Sequence, residues 1–236
     1  MAGDERRMSD TEKRIAILIP SRGRPELLFQ AVQSIFNTSR LADIYVYVDS
    51  DERELYEAAR PKIVGAGAFK IAYGPRCGPV GAAQALTRAA RKESGTYLGF
   101  GLFVDDCRFT VRGWDEAIVY EAERLGKVWA MSPAHSQGAF MDFAIVSDEW
   151  IERLGWIAYP ALNHFGWPSI IEALGEATSL VRLPPEVMFV EHDRKEPTDI
   201  DKSAEDLRQL HGFFTTNRYQ RALELLRAKQ PVEALT

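Results

Sequence analysis

A short apolar run with no polar interruption, IAILIP at 15–20, is the feature that most constrains the fold of this chain. Strands of this kind are buried on both faces and are typical of parallel sheets covered by helices. Two similar runs follow at 44–49 and 69–74, and helical spacing at 26–36 and 52–60 separates the three. Strands that alternate with helices predict an α/β fold with a parallel sheet.

The later elements are less regular. A Gly- and Pro-rich loop at 74–81 leads to a helix at 82–92 and a long apolar strand at 97–106. The remaining predictions are a helix ending at Gly126, strands at 128–133, 140–147 and 187–194, helices at 148–154 and 168–177, and an irregular aromatic stretch at 157–168.

Three regions are predicted. Residues 1–13 are a polar tail, residues 14–195 form one domain, and residues 196–236 form a charged C-terminal helical extension. The extension is amphipathic over 203–229, with a break near 212–216. An apolar helical face either packs over the back half of the domain or mediates self-association, so a homodimer is one expectation.

Composition excludes several classes of protein. The 236 residues are 46% hydrophobic and 27% charged, as in ordinary globular proteins. A net charge of −5 excludes nucleic-acid binding through overall charge. No apolar run approaches the roughly 20 residues that span a bilayer. The N-terminus has no apolar signal region, and two cysteines form no disulfide framework, so we expect a cytoplasmic protein.

Two adjacent acids, Asp105 and Asp106, end the long apolar strand. Ligands of open α/β sheets bind outside the carboxyl ends of strands. Neighbouring side chains of an extended chain point to opposite sides, so one carboxylate can hold Mg²⁺ or Mn²⁺ while the other binds a sugar hydroxyl. The alternative is a pair of solvated aspartates that caps the following turn.

Three stretches carry a resemblance to a known family. They are IAILIPSRGRPELL, the segment CGPVGAAQALTRAARKESGTYLGFGLFVDD, and FVEHDR. Their order and spacing over 15–195 resemble GT-A fold glycosyltransferases, especially the family-2-like group and its small bacterial and phage members. The resemblance implies a Rossmann-like, mostly parallel sheet flanked by helices, a nucleotide-diphosphate sugar as donor, and Mn²⁺ or Mg²⁺ as cofactor.

The resemblance also implies roles for individual residues. Asp106 and His192 would bind the metal, and Asp105 would contact ribose or sugar. Asp49, which ends the second strand, would accept a nucleobase N–H; the alternative is a turn or helix cap. Cys107 stands where the fullest motif of the family has a third acid, so a shifted assignment of the acids stays open.

The catalytic base is harder to assign. The family places an aspartate in the back half, but the matching stretch here, HFGWPSIIEAL, contains none. Asp142 interrupts an apolar strand and would face a cleft, where it could act on the acceptor. His164 lies among aromatic residues that suit a sugar ring; the alternative is a packed surface histidine. Asp142 and His164 are therefore the catalytic candidates.

Two loops are candidates for nucleotide binding. Ser21 and Arg22 follow the first strand, and Arg76 and Gly78 follow the third. An arginine and exposed backbone N–H groups suit a base or phosphate, and glycine permits close approach. The alternative is a pair of surface loops. Neither the Walker motif nor the dinucleotide glycine motif is present.

The predicted function is metal-dependent transfer of a sugar to an acceptor hydroxyl, with inversion implied by the family. The acceptor could be a glycan, a lipid-linked sugar, a protein or a modified DNA base. A nucleotidyltransferase is the alternative enzyme, although SRGRP lacks the lysine such enzymes carry. A second alternative is a non-catalytic module that binds a nucleotide sugar or glycan.

Overall fold

The computed structural model describes residues 13–94, 96–136, 141–164, 166–192 and 200–228. Most of the predicted tail and the end of the extension lie outside them. The strands are β1 (Ile15–Ser21), β2 (Ala42–Asp49), β3 (Ala68–Gly74), β4 (Gly99–Leu102), β5 (Cys107–Phe109), β6 (Ala130–Ser132), β7 (Ala134–His135), β8 (Ala144–Ser147), β9 (Leu180–Arg182) and β10 (Phe189–His192). The α-helices are α1 (Pro25–Thr38), α2 (Arg53–Gly65), α3 (Gly78–Ser94), α4 (Trp114–Leu125), α5 (Asp148–Leu154), α6 (Trp167–Glu176), α7 (Ile200–Thr215) and α8 (Asn217–Arg227).

The main sheet has seven strands in the order β3-β2-β1-β4-β8-β6-β9. The first four strands in this order are parallel, and β6 is parallel to β9. Only β8 runs antiparallel to its neighbours β4 and β6 in this sheet. The prediction of an α/β fold with a mostly parallel sheet is therefore confirmed.

Strand β1 lies at the centre of this sheet and is covered on both faces. Its residues Ile15, Ile17 and Ile19 pack with α1, α2 and α4. The alternate residues Ala16 and Leu18 pack with α3, α5 and α6 on the other face. All five are fully buried. Burial on both faces explains why the run has no polar alternation.

A second sheet of three strands, in the order β5-β10-β7, lies beyond the end of β4. Strand β10 is antiparallel to β5, with His192 opposite Cys107, and parallel to β7. This pairing places the last strand of the domain beside the residues that follow β4. Residues 193 and 194, at the end of the predicted strand 187–194, lie outside the described part.

The long strand predicted over 97–106 is wrong at its carboxyl end. Strand β4 ends at Leu102, and Asp105 and Asp106 form a turn that leads into β5. The Cys107 N–H donates to the Val104 carbonyl across this turn at 3.3 Å. Apolar side chains continue beyond Leu102 because Phe103 packs in the core, and one further hydrogen bond, from the Phe103 N–H to the Leu18 carbonyl at 3.1 Å, joins it to β1.

Two further boundaries differ from the prediction. The loop 74–81 ends early, because α3 begins at Gly78. Asp142 does not interrupt a strand, because β8 begins only at Ala144. The short strands β5, β7 and β9 were not predicted, since two or three residues carry no readable alternation.

The C-terminal extension packs against the domain. Phe213 of α7 and Leu223 and Leu226 of α8 are buried in the same core cluster as α5 and α6. Arg153 of α5 also donates to the Leu226 carbonyl at 2.9 Å. Within the described ranges, no helix combines the length and the apolar content needed to cross a membrane.

Candidate active site

The turn between β4 and β5 carries two carboxylates joined by one guanidinium. Arg24 Nη2 lies 2.6 Å from Asp105 Oδ1, and Arg24 Nη1 lies 3.1 Å from Asp106 Oδ2. The two acids therefore share a counterion and do not point to opposite sides, as an extended strand would require. Their adjacency at the carboxyl end of β4 agrees with the predicted location of the site.

A chain of hydrogen bonds holds the Asp105 carboxylate in place. Ser21 donates to Asp105 Oδ2 at 2.6 Å, and the hydroxyls of Ser21 and Tyr56 are 2.6 Å apart. Because the Ser21 hydroxyl donates its proton to Asp105, the Tyr56 hydroxyl is the donor in its hydrogen bond with Ser21. Tyr56 in turn accepts from the backbone N–H of Arg24 at 3.1 Å. Ser21 thus acts on Asp105 in this structure, and its predicted contact with nucleotide stays a prediction.

The two adjacent acids have opposite pKa shifts. Burial raises the pKa of Asp105 to about 6, although Arg24 and the Ser21 hydrogen bond oppose the shift. Burial also disfavours the ionised form of Asp106, but His192 and Arg24 outweigh it and hold the Asp106 pKa below its ordinary value. Asp106 is therefore the more strongly anionic of the pair.

Asp106 begins a half-buried row of alternating carboxylates and imidazoles. His192 Nε2 lies 3.3 Å from Asp106 Oδ1, and His192 Nδ1 lies 3.7 Å from Asp142 Oδ2. His135 Nδ1 lies 3.6 Å from the same Asp142 oxygen. The edge of the Phe143 ring packs at a centroid distance of 5.1 Å from His192. Residues from β7, β10 and the segments before β5 and β8 thus converge on one row.

The separation of Asp106 and His192 fits two ligands of one cation. Ligands at right angles around an ion with bonds of about 2.1 Å lie about 3 Å apart. The carboxylate suits Mg²⁺ or Mn²⁺, and because imidazole is a ligand of transition metals the pair favours Mn²⁺. Among the described residues no group of three or more His, Cys, Asp and Glu could hold a metal ion. Mg²⁺ often takes only one or two carboxylates and completes its shell with phosphates and water, so a pair is sufficient.

A second cluster lies where β2 ends. Arg22 pairs with Asp49 at 2.7 Å and holds both carboxylate oxygens of Asp51, at 2.8 and 2.7 Å. Hydrogen bonds to Asp51 and Asp49 raise the Arg22 pKa. The hydrogen bond to Arg22, with a smaller contribution from Arg76, lowers the Asp51 pKa. The structure therefore joins the candidates Arg22 and Asp49 with each other, while Arg76 is exposed nearby.

The remaining candidates lie farther along this edge. Gly78 has a positive φ of 68°, and a Cβ there would meet the Asn163 carbonyl oxygen at 2.9 Å. The His164 backbone N–H donates to Asp206 of α7 at 2.7 Å. Gly78 therefore lies against the Asn163 carbonyl, and His164 is the next residue of the same loop.

Sequence reasoning gave no specific role to three residues that matter here. Arg24 is one residue of the SRGRP loop, and Tyr56 and His135 belong to no motif. Only the fold brings these side chains to the acids. A cavity of about 400 Å³ lies elsewhere, lined by Lys13, Trp129 and Asp148 among others. It opens at the amino-terminal ends of β1 and β4, away from the edge where ligands of such sheets bind.

Comparisons with known proteins rest on structure. No protein-family model and no curated protein matches the chain. A mannosyltransferase from Pyrobaculum calidifontis, PcManGT, solved with GDP-Man and Mn²⁺, has a TM-score of 0.63 at 14% identity and is matched over 92% of this chain and 71% of that chain. TarS from S. aureus, solved as residues 1–349 with UDP, has a TM-score of 0.56 at 9% identity over 92% of this chain and 76% of that chain.

GalNAc-T7, solved with UDP, GalNAc and Mn²⁺, has a TM-score of 0.56 at 12% identity over 78% of this chain and 44% of that chain. At such identities a shared structure establishes the fold and leaves the reaction to be argued from the site. The architecture and these matches together show that the chain has the GT-A fold of glycosyltransferases.

Proposed function

We propose that this chain is a metal-dependent glycosyltransferase that moves a sugar from a nucleotide-diphosphate sugar to an acceptor hydroxyl. The observation that carries the proposal is the distance of 3.3 Å between Asp106 Oδ1 and His192 Nε2, beside Asp105 at the carboxyl end of β4. PcManGT was solved with GDP-Man and Mn²⁺, and GalNAc-T7 with UDP, GalNAc and Mn²⁺, which supports this choice of donor and cofactor.

Asp106 and His192 would hold the cation. The bound ion supplies positive charge that stabilises the diphosphate as it leaves the sugar. Arg24 is the nearest cationic side chain to the two acids and is 40% exposed, so its guanidinium can also pair with a phosphate. Asp105 is held in place by Ser21 and would accept a hydrogen bond from a ribose or sugar hydroxyl.

The nucleotide would extend from this turn towards the ends of β2 and β3. Asp49 would accept a nucleobase N–H, while the ion pair with Arg22 orients the Asp49 carboxylate. Arg76 is exposed and available to a phosphate or base, and Gly78 lets the backbone approach the ligand. These residues follow successive parallel strands, so one extended ligand can reach all of them.

The catalytic base remains a choice between Asp142 and His164. Asp142 lies between His135 and His192, and its side chain is 20% exposed. A carboxylate in this position can take a proton from an acceptor hydroxyl that enters beside the donor. Substitution of Asp142 by Asn should abolish transfer and leave binding of nucleoside diphosphate intact. If His164 is the base, His164→Gln gives this result instead.

The test is a thermal-shift panel of nucleotide sugars with Mn²⁺ or with EDTA, because a ligand that binds the folded state raises the melting temperature. Glu116→Gln is a control, since Glu116 is an exposed acid of α4. The proposal predicts a Mn²⁺-dependent shift with at least one nucleotide sugar, lost in Asp106→Ala and kept in Glu116→Gln. A panel with no shift contradicts it.

Hydrolysis of the selected nucleotide sugar then separates the alternatives. Slow release of free sugar and nucleoside diphosphate supports a glycosyltransferase. Binding without hydrolysis or transfer supports a non-catalytic module, and release of pyrophosphate from a nucleoside triphosphate supports a nucleotidyltransferase. The acceptor class and a homodimer remain proposals, as does a cytoplasmic location.

A further inference from the structure

Asp206 is a buried carboxylate of the C-terminal extension that the proposed reaction does not use. It is 1% exposed and lies on the inner face of α7. Its oxygens accept hydrogen bonds from the backbone N–H groups of Asn163 and His164, both at 2.7 Å. Hydrogen bonds to an ionised acceptor are about twice as strong as neutral ones. Asp206 therefore fixes the backbone of the loop between α5 and α6, hereafter the back loop (the described residues 157–164 and 166).

A second contact joins α7 to the same loop. Leu210 lies one helical turn after Asp206, and a Cβ placed on Gly166 would lie 3.1 Å from its side chain. Gly166 has a positive φ of 79°, which disfavours other residues at this point. The Asp206 carboxylate and the Leu210 side chain, which lie on one face of α7, thus both contact the back loop near its end.

The back loop in turn contacts the first turns of α3. The Val80 N–H donates to the Asn163 carbonyl at 3.5 Å, and Gln84 Nε2 donates to the Ala158 carbonyl at 2.8 Å. The same Asn163 carbonyl leaves no room for a side chain at Gly78. Asn163 therefore binds α7 through its N–H and α3 through its carbonyl.

We propose that Asp206 is a positioning residue for nucleotide binding. Through the back loop it sets the position of the first turn of α3, which follows β3 at the carboxyl edge of the sheet. The segment before that turn carries Arg76, so a shift of the turn moves the surface that meets the nucleoside diphosphate. This inference rests on the proposed function and assigns the C-terminal extension a part in ligand binding.

A purely structural role for Asp206 is the competing explanation. In that case its loss lowers the melting temperature, but nucleotide affinity below the transition stays unchanged. Asp206→Asn keeps the size of the side chain while removing its charge and one acceptor oxygen. Glu205→Gln is the matched control, because Glu205 is a neighbouring, half-exposed carboxylate whose hydrogen bonds stay within α7.

The experiment uses the full chain with GDP and UDP as probes, each with Mn²⁺. Hydrogen exchange of residues 78–84 reports the first turns of α3, and calorimetry reports affinity. In Asp206→Asn we expect exchange in 78–84 to become about tenfold faster and affinity about tenfold weaker, with Glu205→Gln unchanged on both measures. If hydrogen exchange in 78–84 is unchanged in Asp206→Asn, Asp206 does not control the first turns of α3. If exchange is faster but nucleotide affinity is unchanged, Asp206 has no role in nucleotide binding.

A double-mutant cycle tests whether the effect passes through the back loop. Gly78→Ala strains the same contact from the α3 side, so its effect on affinity should not add to that of Asp206→Asn. If the effects of the two substitutions on affinity add, they do not act through the same contact of the back loop. If the wild-type chain binds neither GDP nor UDP, the role in binding these nucleotides fails. The proposed function fails only if the full panel of nucleotide sugars also gives no shift, and the exchange measurement still decides whether Asp206 controls α3.

Discussion

The carboxylate of Asp106 lies 3.3 Å from the imidazole of His192, although the two residues belong to different parts of the chain. The contact forms because β10 pairs antiparallel with β5, which follows directly after the Asp105–Asp106 turn. The small sheet β5-β10-β7 therefore delivers a histidine to the carboxyl edge of the large sheet. The proposed metal site depends on this pairing.

His192→Ala should weaken Mn²⁺ binding by about tenfold or more, because one of two protein ligands is lost. His192→Asn should retain part of the affinity, since its carbonyl oxygen can approach the ion. Titration of Mn²⁺ at pH 7.5 in saturating nucleoside diphosphate measures both variants. Equal Mn²⁺ affinity in wild type and His192→Ala removes His192 from the site.

Asp105→Asn should change the pH dependence of stability. The folded pKa of Asp105, about 6, lies above the ordinary value of about 3.9, so ionisation costs more in the folded state. The free energy of unfolding of wild type should therefore fall, relative to the variant, by about 2 kcal/mol as pH rises from 4 to 7. Urea unfolding in EDTA at several pH values checks this. Parallel pH profiles for the two proteins contradict the assignment.

Arg24→Gln should destabilise the metal-free protein, because two adjacent carboxylates lose their shared counterion. The expected loss is about 1–2 kcal/mol, below the usual cost of breaking a buried pair because Arg24 is partly exposed. Mn²⁺ should then raise the melting temperature of the variant more than that of wild type. If Mn²⁺ raises the melting temperature of both proteins equally, Arg24 does not neutralise the charge of Asp105 and Asp106.

Asp115→Ala should destabilise the fold without changing the site. Asp115 is fully buried in the first turn of α4, and its Oδ2 accepts the backbone N–H groups of Arg40 and Leu41, both at 2.5 Å. Loss of this acceptor removes the partner of the buried Leu41 N–H and of the partly buried Arg40 N–H, at a cost of about 1–3 kcal/mol. Chemical denaturation measures the loss. Nucleotide affinity well below the melting temperature should match that of wild type, and a large drop contradicts a purely structural role.

Much of the fold is readable from local pattern. The runs at 15–20 and 44–49 are buried on both faces, the run at 69–74 forms the half-buried edge strand β3, and α5 spans the predicted residues 148–154. The predicted strand boundaries are wrong where buried apolar residues continue past the end of a strand, as after Leu102.

The site was predictable in part. The candidates Asp105, Asp106 and His192 follow from strand ends and family resemblance, and the fold brings them together. The contribution of Arg24, His135 and Asp206 was not predictable, because each acts through a partner distant in sequence. No local pattern marks Asp206, an acid inside a charged amphipathic helix, as a buried acceptor for the N–H groups of Asn163 and His164.

The most direct test of the account is calorimetry of GDP and UDP with Mn²⁺ and again with EDTA, for wild type, Asp106→Ala and Glu116→Gln. The account predicts that wild type and Glu116→Gln bind at least one nucleotide about tenfold or more tightly with Mn²⁺, and that Asp106→Ala loses this dependence. Equal affinity of wild type in Mn²⁺ and in EDTA would contradict a metal-assisted nucleotide site at Asp106 and His192.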